Sequence, residues 1–429
     1  MTVRPLPASE PTRADYRFNF AACLTDAVGW PLSAAFFSQT TILPLLLHHL
    51  GASNTLVGAL PALYNLLVFL PGLLVVGYLS RVRRARGFLF VVALVERFAL
   101  LPLVFLTPLW GITHPQWLLV AVFVFITSHA TAMGFNQPAY WAVIGKCVPA
   151  HWRGRLFGYA GGISGLLGIG VERLLNRLLS GPNGGFPGGY GLGFFIGFLI
   201  MTVSVLPLGV IREPVQETPP TNDPHSGHYG RDGLRVWREN TNFRRFLYGQ
   251  IAFTLASLAT PFFVLYAQRS LHAGTDSVAG YTGTVVLAMA FGGLGWGAWS
   301  DRAGNRRVLV ASAACAIFSA LFALVVTTPS AFILVFILTA LATAGVNLAG
   351  NNIVMEYAPA SRDIPLYTAI YNAVTALPRA AAPLIGGLLA DSAGGYPLTF
   401  IFAAFLALIA LFLSHRAGDP RKLGALREA

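Results

Sequence analysis

What this chain can fold into is constrained first by its apolar stretches, each at least as long as the roughly 20 residues a helix needs to cross a hydrocarbon layer. Twelve can be marked, at 19–47, 54–79, 87–110, 116–145, 155–179, 190–211, 244–268, 277–299, 308–328, 331–357, 364–390 and 396–415. Of 429 residues, 55% are hydrophobic and 11% charged, whereas a soluble domain carries about 25% charged residues. The fold class expected is an all-α polytopic membrane protein with twelve transmembrane helices. The expected division is an N-terminal tail over 1–18, six spans over 19–212, a linker over 213–243, six spans over 244–415 and a C-terminal tail over 416–429.

The positive charges orient the chain. Of 29 Arg and Lys residues, 24 fall in the two tails, the linker and the alternate short loops on the same side. The opposite loops hold only Arg269, and Arg97, Arg173, Arg177 and Arg379 fall inside spans. Basic residues accumulate on the cytoplasmic side, so both termini and the linker are expected there, in a bacterial inner-membrane setting. The same placement removes nucleic-acid binding as a meaning of the +12 net charge. Cys23, Cys147 and Cys315 have no paired spacing, so neither a disulfide framework nor a metal site is implied. The first apolar stretch is long and many more follow, so it is a span and not a cleaved signal peptide.

The linker carries Pro214, Pro219, Pro220 and Pro224 among polar residues, a composition that cannot bury a core. Its end mixes Arg235, Trp237, Arg238, Phe243 and Arg244, which suits the cytoplasmic lipid surface. The glycine-rich run 180–191 reads as a loop on the other side; it lacks the flanking strand that a phosphate-cradling loop needs.

The chain repeats itself. Gly297, Ser300, Asp301, Arg302, Gly304, Arg306 and Arg307 form a short basic hinge between two spans, and Gly77, Ser80, Arg81, Arg83, Arg84 and Arg86 form its twin 220 residues earlier. Ala130-Thr131-Ala132-Met133-Gly134-Phe135-Asn136 is echoed by Ala342-Thr343-Ala344-Gly345-Val346-Asn347. Such duplication marks transporters built from repeats. The run at 297–307 resembles the signature loop of the major facilitator superfamily between helices 2 and 3 of a half. The first copy departs from it, with Arg81 where the aspartate belongs. Twelve spans, a central linker and the paired loops extend this resemblance over almost the whole chain. It implies two pseudo-symmetric six-helix bundles rocking about a central site, with helices 1, 4, 7 and 10 lining the cavity. It also implies that Asp301 latches the halves on the cytoplasmic side in the outward-open state, the alternative being a solvated loop whose arginines only set topology. The glycines of helix 5, from Gly158 to Gly170, partly resemble the antiporter motif of that helix without its Gly-Pro pair. Close packing explains them as well.

Charges inside a membrane are costly and therefore paired or functional. Asp26 is a lone acid in helix 1, one turn before Trp30-Pro31, and Glu96 lies beside Arg97 in helix 3. Asp26 and Glu96 are the proton-coupling candidates, with Arg97 and Arg379 as charge partners; a structural ion pair is the alternative for Asp26. Adjacent residues on a helix diverge by about 100°, so Glu96 and Arg97, or Glu172 and Arg173, are not expected to form one tidy pair. Arg177 reads as snorkelling to the interface. The substrate-cavity candidates are Trp30, His129, Asn136, Gln137, Tyr140, Thr254, Ser257, Asn347 and Asn351. Their amides and hydroxyls suit a polar or amphipathic small molecule, although many such groups bond to backbone instead.

These features point to secondary active transport of a small organic molecule by alternating access, coupled to protons, with efflux favoured. The alternative within transport is uptake of a sugar or other small metabolite. The alternative of another class is a non-transporting sensor or assembly protein on the same fold. No nucleophile–base constellation, metal-ligand spacing or nucleotide loop suggests an enzyme, and no cofactor is called for. The expected partners are the substrate, protons and the lipid bilayer, with the protein acting as a monomer.

Overall fold

The structure is a computed structural model that describes residues 12–79, 82, 84–180, 185–214, 229–358 and 364–418. The described residues are helical, with no strand among them. The first bundle comprises α1 (Arg13–Ala34), α2 (Ile42–His49), α3 (Asn54–Leu79), α4 (Arg86–Phe98), α5 (Leu101–Trp110), α6 (Pro115–Cys147), α7 (Ala150–Ser180) and α8 (Gly188–Val205). A short helix, α9 (Tyr229–Glu239), precedes the second bundle. That bundle comprises α10 (Thr241–Ala256), α11 (Thr260–Ser270), α12 (Thr275–Ala303), α13 (Asn305–Val325), α14 (Pro329–Tyr357), α15 (Ile364–Asp391) and α16 (Gly395–Arg416). Among the described residues, nine helices are long and apolar enough to cross a membrane by length and composition. The pairs α1–α2, α4–α5 and α10–α11 are each one broken span, so the elements make twelve crossings in two bundles of six.

The breaks have local causes. At 38–41 the Ser38 hydroxyl accepts from the Thr41 amide at 3.2 Å and the Thr41 hydroxyl at 2.8 Å. This side-chain competition for backbone donors interrupts helices. The breaks before α5 and α11 precede Pro102 and Pro261, whose rings cannot accept a helix continuing from the preceding turn.

Two sequence expectations need correction. Residues 297–303 are not a hinge loop but the last turns of α12, because nothing in Ala298-Trp299-Ser300-Asp301 breaks a helix. The turn is Gly304 alone, at φ 87°, a conformation that glycine adopts without penalty. Likewise Glu213 is not free linker. Its carboxylate is 7% exposed and accepts from the amides of Ala85 at 2.9 Å and Arg86 at 2.8 Å, capping α4, while Lys146 Nζ lies 3.2 Å away. Linker residues 215–228 and hinge residues Ser80, Arg81 and Arg83 lie outside the described residues.

α9 lies on one face of the molecule, the linker face. A network of hydrogen bonds between the bundles lies towards the opposite, far face. Asp391 of α15 accepts from the amides of Asn54 at 3.1 Å and Thr55 at 2.7 Å and from the Thr55 hydroxyl at 2.6 Å. The end of one bundle thus caps the first turn of a helix in the other. Tyr396 donates to Asn54 Oδ1 at 2.9 Å, and Arg269 reaches both Tyr396 Oη at 2.9 Å and His48 Nδ1 at 3.0 Å. Thr282 donates to Thr41 at 2.7 Å, and Asn65 to the Arg379 carbonyl at 3.3 Å. Glycines bring the helices together here: a Cβ on Gly58 would collide with the Pro383 carbonyl, and one on Gly168 would lie 2.7 Å from Val286 Cγ1. The protein is closed on the far face.

Candidate functional site

Four helices of the first bundle meet around a cavity of about 220 Å³. Asp26, Ala27, Trp30 and Pro31 come from α1, Glu96 and Arg97 from α4, Met133, Asn136, Gln137, Tyr140 and Trp141 from α6, and Phe157 from α7. The spacing is helical: Asp26 and Trp30 are four apart, as are Asn136 and Tyr140, so each pair presents to the same side.

Arg97 organises the site, at 1% exposure. Its Nη2 donates to Asp26 Oδ1 at 3.1 Å, and its Nη1 to Glu96 Oε2 at 3.3 Å and the Ala93 carbonyl at 2.9 Å. Its Nε donates to the Met201 carbonyl of α8 at 3.0 Å. One guanidinium therefore ties α1, α4 and α8 and serves two carboxylates, Asp26 at 5% and Glu96 at 0% exposure. Asn136 Nδ2 also donates to Glu96 Oε2. Glu96 Oε1 and Asn136 Oδ1 are both buried without a donor. A buried ion pair repays desolvation only when the remaining lone pairs are also satisfied, and this cluster carries two acids on one base.

Asp26 is thus not the lone acid that the sequence suggested; it shares a cation with Glu96. The divergence of adjacent helix residues applies to Cβ directions, and the long side chain of Arg97 spans it. Arg379 is not part of this cluster: its side chain is exposed on α15. Of the cavity candidates, Trp30, Asn136, Gln137 and Tyr140 lie together with the acids. His129 lies behind them, buried, with Nδ1 2.8 Å from the Glu96 carbonyl. A carbonyl only accepts, so Nδ1 carries the hydrogen. Thr254, Ser257, Asn347 and Asn351 belong to the second bundle and do not border this cavity. Ser257 donates to the Thr254 carbonyl at 2.7 Å and borders a smaller space of about 40 Å³, whereas Asn347 and Asn351 are exposed. A wider groove of about 630 Å³ runs between α12 and α14, past Phe291, Trp296 and Trp299, but no ionisable group lines it.

At the turn near Gly304, Asp301 and Arg302 are exposed, and Asp301 has no partner among the described residues. Arg306 donates to the His415 carbonyl of its own bundle, and Arg307 is exposed. The buried polar contacts there are Ser300 to Asn305, and Asn305 Nδ2 to Glu356 Oε1 at 2.9 Å. Glu172, Arg173 and Arg177 form no ion pair among the described residues. Sequence reasoning missed the far-face network. Its signals were the cap-forming Asn54-Thr55 pair and the solitary Arg269.

Solved structures of the same architecture cover most of the chain. A bacterial homolog of the human lysosomal transporter Spinster, inward-facing and unoccupied, aligns over 95% of this chain and 98% of its own, with a TM-score of 0.69 and 13% identity. A D-xylose–proton symporter aligns over 95% and 99%, with a TM-score of 0.67 and 15% identity. The nucleoside transporter NupG aligns over 93% and 99%, with a TM-score of 0.66 and 13% identity. The fold is that of these transporters. A family model described as Major Facilitator Superfamily also matches residues 246–428 in sequence. No curated protein matches the chain. The chain thus shares the fold of these transporters, and its second half matches the family's sequence model.

Proposed function

We propose that the protein is a secondary active transporter of a small organic molecule, working by alternating access and coupled to protons through Asp26, Glu96 and Arg97. The observation that carries this is the pair of buried carboxylates sharing one guanidinium on the wall of a cavity. Relative movement of α1, α4 and α8 changes how Arg97 divides itself between the acids, and so which of them holds a proton. Trp30, Asn136, Gln137 and Tyr140 supply apolar and hydrogen-bonding contacts for the substrate. Export driven by inward proton movement is the favoured direction. The two bundles, 19–212 and 244–415, rock about this region in a bacterial-type inner membrane, with both tails and the 213–243 linker in the cytoplasm. In that orientation the linker face is the open, inward one, and Asp301 becomes the latch only when that face closes.

Thermal-shift screening of the purified protein against metabolites and drugs identifies a ligand, and proteoliposomes with an imposed pH gradient then test its accumulation. Asp26→Asn is expected to remain folded and to lose gradient-driven accumulation. Accumulation equal to the parent's refutes coupling through Asp26, and accumulation with the proton gradient instead of against it assigns uptake. For orientation, single cysteines at 270–275 are expected to label from outside intact cells and those at 220–230 are not; labelling of the linker from outside overturns the topology.

A further inference from the structure

The groove of about 630 Å³ between α12 and α14 plays no part in the charged cavity. Two glycines shape it. A Cβ on Gly292 would lie 2.8 Å from Leu341 Cδ2, so the helices touch there, whereas one on Gly295 would meet nothing within 4 Å. Leu287, Phe291, Gly295 and Trp299 follow one another at steps of four residues and make one wall; Ile337 and Leu341 of α14 make the other. The groove opens towards hydrocarbon: Phe291 and the nearby Leu294 are 62% and 57% exposed in the middle of an apolar span, Ser277–Ala303. A different face of α12 meets the first bundle, with Val286 and Ala290 against Gly168 and Gly165 of α7.

Water does not fill such a groove, because a held water needs roughly two to four polar partners. The lining is apolar apart from Thr284 and the Trp296 indole N–H, which is already given to the Leu341 carbonyl at 2.9 Å. Left empty, the walls lose their contacts on one side. From Thr284 to Trp299 the α12 wall runs about 22 Å, against about 15 Å for the hydrocarbon of one leaflet, so an extended acyl chain fits along it. The linker-face end has another chemistry. Trp299 stacks on Trp296 with ring centroids 5.5 Å apart, and Arg302, exposed, follows three residues later on the same side of the helix. Asp301 diverges from that side by about 100°. Tryptophan at the end of a span marks the headgroup level, and a guanidinium fork suits phosphate. The turn around Gly304 carries Arg302, Arg306 and Arg307 against the single acid Asp301, so its charge favours an anion.

We propose that this groove binds one anionic phospholipid of the linker-face leaflet, with an acyl chain along Phe291 and Gly295 and the phosphate on Arg302 beside Trp299. The site is separate from the charged cavity and independent of how transport is coupled. A chain seated there braces α12 against α14, while the other face of α12 carries the contact with α7. Gly292, Gly293, Gly295 and Gly297 crowd this part of the helix. Glycine holds a helix weakly, so the stretch gains stiffness from the lipid.

The test uses the full-length protein in phosphatidylcholine vesicles that carry a rising fraction of either phosphatidylglycerol or phosphatidylcholine with brominated chains. Bromine quenches tryptophan fluorescence at close range. The groove signal is the part of the quenching that Trp299→Phe removes, a variant that keeps a ring against Trp296. In the parent it is expected to reach half its maximum at about a fivefold lower fraction of phosphatidylglycerol than of phosphatidylcholine, the preference that one arginine near the surface gives. Arg302→Gln is expected to bring the two lipids to the same fraction. Gly295→Leu changes no charge and has space for its side chain; it is expected to remove the groove signal for both lipids. Arg302→Gln alters only an exposed side chain, and decides the matter alone should Gly295→Leu not fold. Equal fractions in the parent, a preference that survives Arg302→Gln, or a groove signal unchanged by Gly295→Leu each overturns the proposal. Absence of a groove signal with either lipid overturns it too, and assigns the groove to a second copy of the chain where the protein cross-links as a dimer.

Discussion

Replacing Asp391 with alanine is expected to open the far face. The carboxylate caps α3 from the opposite bundle through three hydrogen bonds at 2.6–3.1 Å. Loss of an N-cap costs about 0.5–2 kcal/mol. Hydrogen bonds to a charged group are each worth about 1.5–3 kcal/mol, but Asp391 is exposed and water takes over part of that. A net loss of about 1–2 kcal/mol from the closed state corresponds to a population shift of about 5–30-fold towards opening. The loss falls on the equilibrium between conformations more than on folding, because the donors and the acceptor belong to different bundles. Spin labels at Thr113 and His272, both exposed on the far face in opposite bundles, report it by pulsed electron resonance. A second, longer distance is expected in Asp391→Ala. A distance distribution unchanged from the parent, in a protein that remains folded, refutes the argument that this cap holds the bundles together.

His48→Ala removes the acceptor of the Arg269 contact between the bundles, and is expected to add the same longer distance; an unchanged distribution refutes a role for this contact in closure. Glu213→Ala removes two backbone donors' partner and the Lys146 contact. A loss of about 1–3 kcal/mol is expected, read as a lower melting temperature, whereas an unchanged melting temperature returns Glu213 to the linker.

The spans were legible because hydrocarbon thickness imposes a length that composition reveals. Most marked stretches lie on a helix or a broken helix whose ends fall within a few residues of it; the exceptions are the first, whose helix α1 begins six residues earlier at Arg13, the fifth, whose helix α7 begins five residues earlier at Ala150, and the sixth, where α8 ends at Val205 and a short 3-10 turn, Leu206–Val210, continues it. The breaks inside spans were harder: Ser38 acts through a hydroxyl on its own backbone, a choice that hydropathy does not record. Within the site, Asp26, Glu96 and Arg97 stood out because charge is rare in apolar sequence. That one arginine serves both acids depends on its reach across α1, α4 and α8, and a one-dimensional pattern holds no such distance. The second-bundle residues Thr254, Ser257, Asn347 and Asn351 were chosen because the resemblance implies that helices 7 and 10 line the cavity. The charged cavity, however, is built from the first bundle alone. The far-face network joins residues more than 200 positions apart, such as His48 and Arg269, and no local signal couples them.

Beneath that network, two glycines bring α3 and α15 into direct backbone contact. Gly58 lies against the Pro383 carbonyl, and a Cβ on Gly387 would come within 2.5 Å of the Asn54 carbonyl. Nothing in this contact ionises, so neither acid nor salt can loosen it; its strength comes from short-range attraction between closely fitted surfaces. The far face is thus shut by two materials in series, an electrostatic one that screening weakens and a steric one that it leaves alone. Raising ionic strength should slacken the closure only to a plateau, and the height of that plateau measures the glycine seam by itself. Such a seam also leaves little room for a file of water along it, so the barrier to ions leaking through the closed side outlasts the loss of every charged contact above it.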